Sequence, residues 1–233
     1  MNRCAALIPA AGVGARFGAN LPKQYMPILD KPVLRHTADK LLACERLDTV
    51  LIIVSANDAY IDTVYPPNRL PEKLHILRCG GETRAHTVYQ GICAAKQQGL
   101  LNDDDWLLVH DAARCCLPNA ALTRLLDTAV NHSVGGLLAI PVSDTLKRDN
   151  GADCVADTVS RARLWQAQTP QMFRTAMLHQ ALAAANLETI TDESSAIEAL
   201  GLSPLLVLGD VRNIKLTQAQ DAVLAELFLR LPF

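Results

Sequence analysis

Short apolar runs alternate with helix-period segments along this chain, and no other feature constrains its fold as strongly. Residues 4–8 form an apolar run, residues 33–44 carry a helical pattern, and residues 49–54 return as a run rich in β-branched side chains. The rhythm continues through a run at 74–77, a helix over 85–97, a run at 106–109, a helix over 119–131 and a run at 136–140. Runs this uniformly apolar suit strands buried on both faces. The alternation therefore predicts an α/β fold, a Rossmann-like, mainly parallel sheet with helices on both faces.

The rhythm breaks after Pro141. Polar residues 146–151 carry an Asn150-Gly151 turn signal, and residues 155–160 offer a return strand, together a β-hairpin poor in apolar positions. Such an arm is not stable alone, so it either docks on something, most economically a second subunit, or remains a surface hairpin. Helices are then expected over 172–185 and 194–200, a strand over 205–208, and a last helix over 218–229 with Thr217 as its N-cap. No repeat or linker divides the chain, which reads as one domain over 1–233 with an arm at about 142–163 and no second catalytic domain.

In open sheets of this kind ligands bind beyond the carboxyl ends of the strands, and four unusual segments fall there. The first is Pro9-Ala10-Ala11-Gly12-Val13-Gly14-Ala15-Arg16-Phe17-Gly18, followed by Lys23. Small residues let backbone N–H groups approach a ligand, and the two cations suit an anionic one. A dinucleotide fingerprint would need its third glycine one place earlier, and a P-loop would need Gly-Lys-Ser/Thr, so neither pattern fits. The others are Gly80-Gly81-Glu82-Thr83-Arg84, His110-Asp111-Ala112-Ala113-Arg114, and residues 209–217 with Lys215. If they converge, Arg16, Lys23, Arg84, Arg114 and Lys215 crowd around Asp111, an imbalance that a polyphosphate with its metal resolves. Asp111 could hold Mg²⁺ together with substrate phosphates, or it could cap the next helix.

Composition bounds the partners. A formal charge of −2 leaves no basic excess for a nucleic-acid backbone, which points to small molecules. No apolar run approaches the length of a membrane span, and the run at 4–11 is broken by Pro9, too short for a signal peptide, so a cytoplasmic location is expected. The seven cysteines include no Cys-x-x-Cys pair, and reduced, mostly buried thiols are expected.

Eight segments in order resemble the 2-C-methyl-D-erythritol 4-phosphate cytidylyltransferase family of the non-mevalonate isoprenoid pathway, over essentially the whole chain. They are Pro9 to Phe17 with Lys23, Gly80-Gly81-x-x-Arg84-x-x-Thr87-Val88, His110 to Arg114, Pro141-Val142-x-Asp144-Thr145, Thr158-Val159-x-Arg161, Thr169-Pro170-Gln171, Thr191-Asp192-Glu193 and Asn213-Ile214-Lys215-x-Thr217. The resemblance implies a nucleotidyltransferase fold with a protruding β-arm that dimerises, and Mg²⁺-dependent transfer of CMP from CTP to methylerythritol phosphate with release of pyrophosphate. Other divalent ions could replace Mg²⁺. It implies that Ala10, Ala11, Gly12, Gly14, Gly81, Glu82, Arg84, Thr87, Asp111, Ala112 and Arg114 bind the nucleotide, with Arg16, Lys23 and Lys215 on phosphates as the catalytic cations. Asp111, Thr145, Arg161, Thr191 and Lys215 would hold the acceptor, Thr145 and Arg161 reaching in from the partner's arm, and Asp111 would be the metal ligand. A ribitol 5-phosphate cytidylyltransferase on the same fold is the nearest alternative. Thr87 stands where the family usually has serine, Cys115 where proline is usual, and Arg212 where some relatives have aspartate.

Overall fold

The computed structural model describes residues 3–12 and 21–231, and its elements follow the alternation of the sequence. Strand β1 (Cys4–Pro9) is followed by the two short strands β2 (Pro27–Ile28) and β3 (Lys31–Pro32), helix α1 (Val33–Leu42), β4 (Thr49–Ile53) and the single turn α2 (Ile61–Val64). Then come β5 (Leu74–Leu77), α3 (Arg84–Gln97), β6 (Trp106–Val109), α4 (Asn119–Ala129) and β7 (Gly135–Pro141). The last third contains β8 (Leu146–Asp149), β9 (Val155–Val159), β10 (Trp165–Arg174), α5 (Thr175–Ala184), α6 (Glu193–Glu198), β11 (Leu205–Leu208) and α7 (Asp221–Arg230). Among the described residues, no helix is long and apolar enough to cross a membrane.

Seven strands form one sheet in the order β11-β7-β10-β6-β1-β4-β5. Strands β1, β4, β5 and β6 are mutually parallel, β11 is parallel to β7, and β10 runs antiparallel between β6 and β7. Side chains of β1 alternate between two cores: Ala6 and Ile8 pack with α1 and α4, and Ala5 and Leu7 pack with α3 and α5. Period-two alternation with apolar residues on both sides is why the strand reads as an unbroken apolar run. The chain steps outward from β1 to β4 and β5, then crosses back to β6 on the other flank of β1. That reversal opens a crevice beyond the carboxyl ends of β1 and β6.

Strand β10 departs from the sequence reading, which extends a helix from Met172; Met172 and Phe173 lie in the strand, and α5 starts at Thr175. Gln168, Thr169, Pro170 and Gln171 hide this strand, because a proline and buried polar side chains do not look like the middle of a sheet. The register shifts between Ala167 and Gln171, and this bulge accommodates Pro170. The freed polar groups find partners in neighbouring loops. Gln168 Nε2 donates to Asp210 O at 2.9 Å, Gln171 Nε2 donates to Asp192 Oδ2 at 2.8 Å, and the Ser194 N–H donates to Gln171 Oε1 at 2.7 Å.

Two capping expectations are also corrected. Helix α7 begins at Asp221, whose carboxylate accepts from the Thr217 N–H, the Thr217 hydroxyl and the Gln218 N–H, so the acceptor is Asp221 and not Thr217. Asp111 caps no helix, since α4 starts eight residues later at Asn119 behind Pro118. All seven cysteines are free, but only Cys4, Cys115 and Cys116 are buried; Cys154 is exposed and the others are half-buried, against the expectation of mostly buried thiols.

Strands β8 and β9 form a separate antiparallel pair between β7 and β10, mostly exposed. The Asn150-Gly151 signal sits in a longer loop closed by the Asn150 N–H on Cys154 O at 3.0 Å, with Gly151 at φ +86°.

Gln171→Leu keeps an apolar stem in place but strands the buried Ser194 N–H and Asp192 Oδ2. Urea unfolding is expected to show a loss of about 1–3 kcal/mol, and a loss below about 0.5 kcal/mol would contradict the bracing role of this amide.

Candidate active site

The crevice is a cavity of about 550 Å³, and all four segments contribute to its wall. Ala10, Ala11, Gly12 and Lys23 come from the first, Gly81, Glu82, Arg84 and Thr87 from the second, Asp111 and Ala112 from the third, and Lys215 from the fourth. Gly14 and Arg16 lie outside the described residues. Arg114 stands behind the wall, its Nε 3.6 Å from Asp111 Oδ2 and its Nη1 donating to Asn213 O at 2.6 Å. Thr145, Arg161 and Thr191 do not line the cavity; Thr145 and Arg161 are exposed on either side of the β8–β9 pair, and Thr191 is exposed just before α6.

Close backbone approach explains the small residues. A Cβ on Gly80 would fall 2.2 Å from the Ala11 Cβ, and one on Gly81 would fall 2.6 Å from the His86 Cβ. A side chain at Gly80 would force the two loops apart, and one at Gly81 would push its own turn off the first turns of α3. The Thr87 hydroxyl ties the Gly81 peptide from below, accepting from its N–H at 3.2 Å, and it lies 2.9 Å from Thr83 O. Gln24, which sequence reasoning passed over, is buried, and its Nε2 donates to Ala10 O at 2.9 Å and Gly12 O at 2.8 Å. It clamps the start of the first loop from a position adjacent to Lys23, whose Nζ lies 3.4 Å from Leu216 O. A polar residue directly after the lysine was its only sequence signal.

Asp111 is the electrostatic centre. Its Oδ1 accepts from Arg84 Nε at 2.7 Å and its Oδ2 faces Lys215 Nζ at 2.9 Å. Burial alone would push its carboxyl up, yet Arg84, Lys215 and Arg114 together hold it well below the usual carboxylate range. Glu193, also missed from the residues alone, is buried and binds the two Nη atoms of Arg84 at 2.6 and 3.0 Å. In the lining, Lys23, Arg84 and Lys215 outnumber Asp111 and the rim residue Glu82, and behind it Arg114 is offset by Glu193, so the described wall carries a positive excess suited to an anion. Among the described residues Arg212 does not line the cavity, and its guanidinium binds the Asp210 carboxylate at 2.9 and 3.0 Å.

His110 is not an acid or base at this site. Its Nε2 lies 3.0 Å from Arg114 O, and its Nδ1 lies 2.9 Å from the Thr169 hydroxyl, which in turn accepts from the Asp111 N–H at 3.0 Å. This network assigns the neutral ring with the proton on Nε2. Burial pushes its pKa down to about 4.

Comparisons with known proteins give the family and the fold. Residues 4–231 match the family model described as IspD, 2-C-methyl-D-erythritol 4-phosphate cytidylyltransferase. A protein of that name from Neisseria meningitidis serogroup C is 54% identical over 224 residues, covering 96% of each chain. One from Laribacter hongkongensis is 52% identical over 231 residues, covering 99% of this chain and 98% of that one. A crystal structure of a 4-diphosphocytidyl-2C-methyl-D-erythritol synthase superposes with a TM-score of 0.86 at 45% identity, covering 98% of this chain and all of that one (100%). The cytidylyltransferase of Francisella tularensis superposes with a TM-score of 0.82 at 29% identity, covering 97% of this chain and 100% of that one.

The neutral His110 has a consequence for stability. Its pKa is lowered in the fold, so the unfolded chain takes up the proton first as pH falls. The contribution is complete above the unfolded value of 6.5 and is lost as pH drops toward about 4. Urea unfolding is expected to show a loss of about 2 kcal/mol from this residue between about pH 7 and pH 4.5. His110→Gln should remove that part of the slope, and identical slopes in the two proteins would contradict the assignment.

Proposed function

The chain belongs to the 2-C-methyl-D-erythritol 4-phosphate cytidylyltransferase family, and on that premise we propose that its cavity transfers CMP from CTP to methylerythritol phosphate, releasing pyrophosphate, in isoprenoid precursor biosynthesis. The observation that carries the reading is the excess of cations around one buried carboxylate, at the crevice where the strand order reverses. A nucleoside triphosphate meeting a phosphate monoester brings the charge that such a wall is built to hold.

In this reading Ala10, Ala11, Gly12, Gly81, Glu82, Thr87 and Ala112 enclose the nucleoside, with Gly14 continuing the loop. Lys23 and Lys215, together with Arg16, meet phosphates, while Arg84 and Arg114 hold Asp111 in place from behind. The attacking group is a phosphate monoester, mostly dianionic at pH 7 because its second pKa is near 6, so it requires no general base. Its oxygen forms a bond to the α-phosphorus of CTP as the bond to the bridging oxygen breaks and pyrophosphate leaves with the electron pair. The barrier lies in bringing two anions together, and positioned cations lower it.

A divalent cation fits the residues present. Arg84 and Lys215 each engage one oxygen of Asp111, which leaves lone pairs on both, and Mg²⁺ commonly takes one or two carboxylates and completes its shell with phosphates and water. Asp111 would hold it, and when bound it would neutralise triphosphate charge. No cluster of three or more acidic, His or Cys ligands occurs among the described residues, so a metal here would depend on the nucleotide for its remaining ligands.

The acceptor would meet Asp111, Lys215 and Thr191 of one subunit with Thr145 and Arg161 from the arm of a second copy, giving a homodimer. The arm supports this because Val155 is 62% exposed and Leu164 and Trp165 at its base are also exposed. We read residues 1–233 as one cytoplasmic nucleotidyltransferase domain with the arm as its excursion, acting on small molecules and not on nucleic acid.

Pyrophosphate release from CTP, scored against a panel of methylerythritol phosphate and ribitol 5-phosphate, tests the acceptor; preference for the ribitol ester would overturn it. In the same assay Lys23→Ala is expected to lower kcat by about 10²-fold with the fold intact, since a lost transition-state contact of this kind is worth about 3 kcal/mol. A near-normal kcat would remove Lys23 from the mechanism. Deleting residues 147–157 is expected to yield monomers in sedimentation, and a persistent dimer would contradict the arm's role.

A further inference from the structure

Three charged side chains from distant parts of the chain form a continuous strut from the cavity wall, at Asp111 and Arg84, to the buried Glu193. Arg84 is the first residue of α3, directly after the Gly80–Thr83 turn that lines the nucleotide side. Glu193 is the first residue of α6, two positions after Thr191 on the side assigned to the acceptor. Arg84 presents both Nη atoms to Glu193 and its Nε to Asp111 Oδ1, so all three guanidinium nitrogens are engaged. A fork-to-fork pair of this geometry fixes orientation as well as distance.

Glu193 itself cannot move easily. Its side chain is 1% exposed, and the backbone around it is nailed down on both sides. The Asp192 carboxylate accepts from the Ser195 N–H at 2.9 Å and from Gln171 Nε2 at 2.8 Å, and the Ser194 N–H is held by Gln171 Oε1. The anchor is therefore Glu193 at the start of α6, braced by Gln171 of β10, the strut is Arg84, and the group held in place is Asp111. Lys215 approaches the opposite oxygen of Asp111 with a side chain 40% exposed, which leaves it as the cation turned toward the cavity.

We propose that Glu193 is a positioning residue that, through Arg84, sets where the Asp111 carboxylate sits between the nucleotide and acceptor sides of the cavity. Without Glu193, the guanidinium is free to rotate onto both oxygens of Asp111 and to compete with Lys215 for Oδ2. Without Arg84, Glu193 is left buried and unpaired and Asp111 loses its restraint. The proposal rests on the cytidylyltransferase reading, since it assigns the restrained carboxylate a part in that reaction.

Arg84→Gln, Glu193→Gln and the double variant separate positioning from simple structural support when melting temperature and pyrophosphate release are measured together. Each single variant breaks a buried ion pair and is expected to lose stability and activity together. The double variant removes both charges, and it is expected to recover most of the melting temperature while kcat stays about tenfold or more below wild type, no lower than the worse single variant. Recovery of both quantities would make the pair structural only and overturn the proposal. So would a normal kcat in Glu193→Gln beside a low one in Arg84→Gln, which would place Arg84 on the substrate by itself. Glu193→Asp retains the charge and is the variant least prone to unfolding. It should draw the guanidinium back and change kcat or KM by about threefold or more at an ordinary melting temperature, and unchanged constants would refute the proposal. A wild-type protein that releases no pyrophosphate would refute the function, and the positioning role with it; an active wild type beside a fully active double variant refutes the positioning role alone.

Discussion

A carboxylate almost wholly removed from water, at the centre of a cavity, can stay ionised only if cations reach it. Asp111 is in that position, and its partners come from three separate elements: Arg84 from the start of α3, Arg114 from the loop after β6, and Lys215 from the loop after β11. The charge requirement thus holds together loops that share no strand pairing. Removing one member of such a cluster leaves the others buried and uncompensated, which is why isolated losses here should be severe while paired neutral replacements can be tolerated structurally. The same requirement gives the site its sign: once the carboxylates have taken their partners, the exposed positive groups face the cavity.

The frame behind this cluster is the antiparallel strand β10. Its bulge takes Gln168 and Thr169 out of the ladder, Gln171 resumes the pairing, and the side chain of each meets a different loop. Gln168 holds the Asp210 segment leading to Lys215, Thr169 holds the peptide of Asp111, and Gln171 holds the segment carrying Glu193. The parallel strands position one side of the cavity through their carboxyl ends, while one irregular strand aligns the loops on the other side. Strand β10 begins at Trp165, a few residues after the exposed β8–β9 pair.

The parallel half of the fold was legible because its strands are apolar runs, buried on both faces in β1, β4 and β6 and still apolar at the edge strands β5 and β11. The limits of β5, β6 and β11 match the sequence reading to the residue. Strand β10 was not legible, since its buried polar residues are satisfied by loops far away in sequence, and no local pattern records that. Among site residues, glycines and cations at strand ends could be read, because small residues following a strand end permit close backbone approach wherever they occur, whatever the rest of the chain does. Gln24 and Glu193 could not be read from the residues alone. One looks like an ordinary polar neighbour of Lys23 and the other like an ordinary acid opening a helix; their burial and their partners exist only in three dimensions.

The central claim is that the cavity between β1 and β6 takes a nucleoside triphosphate, with its phosphates on Lys23 and Lys215. The most direct measurement is a structure of the protein with CTP and Mg²⁺ bound. The account predicts the cytidine against the Ala10–Gly12 and Gly80–Gly81 backbones and phosphate oxygens within hydrogen-bond distance of both lysines. A nucleotide seated elsewhere, or one whose phosphates approach neither lysine, would contradict it.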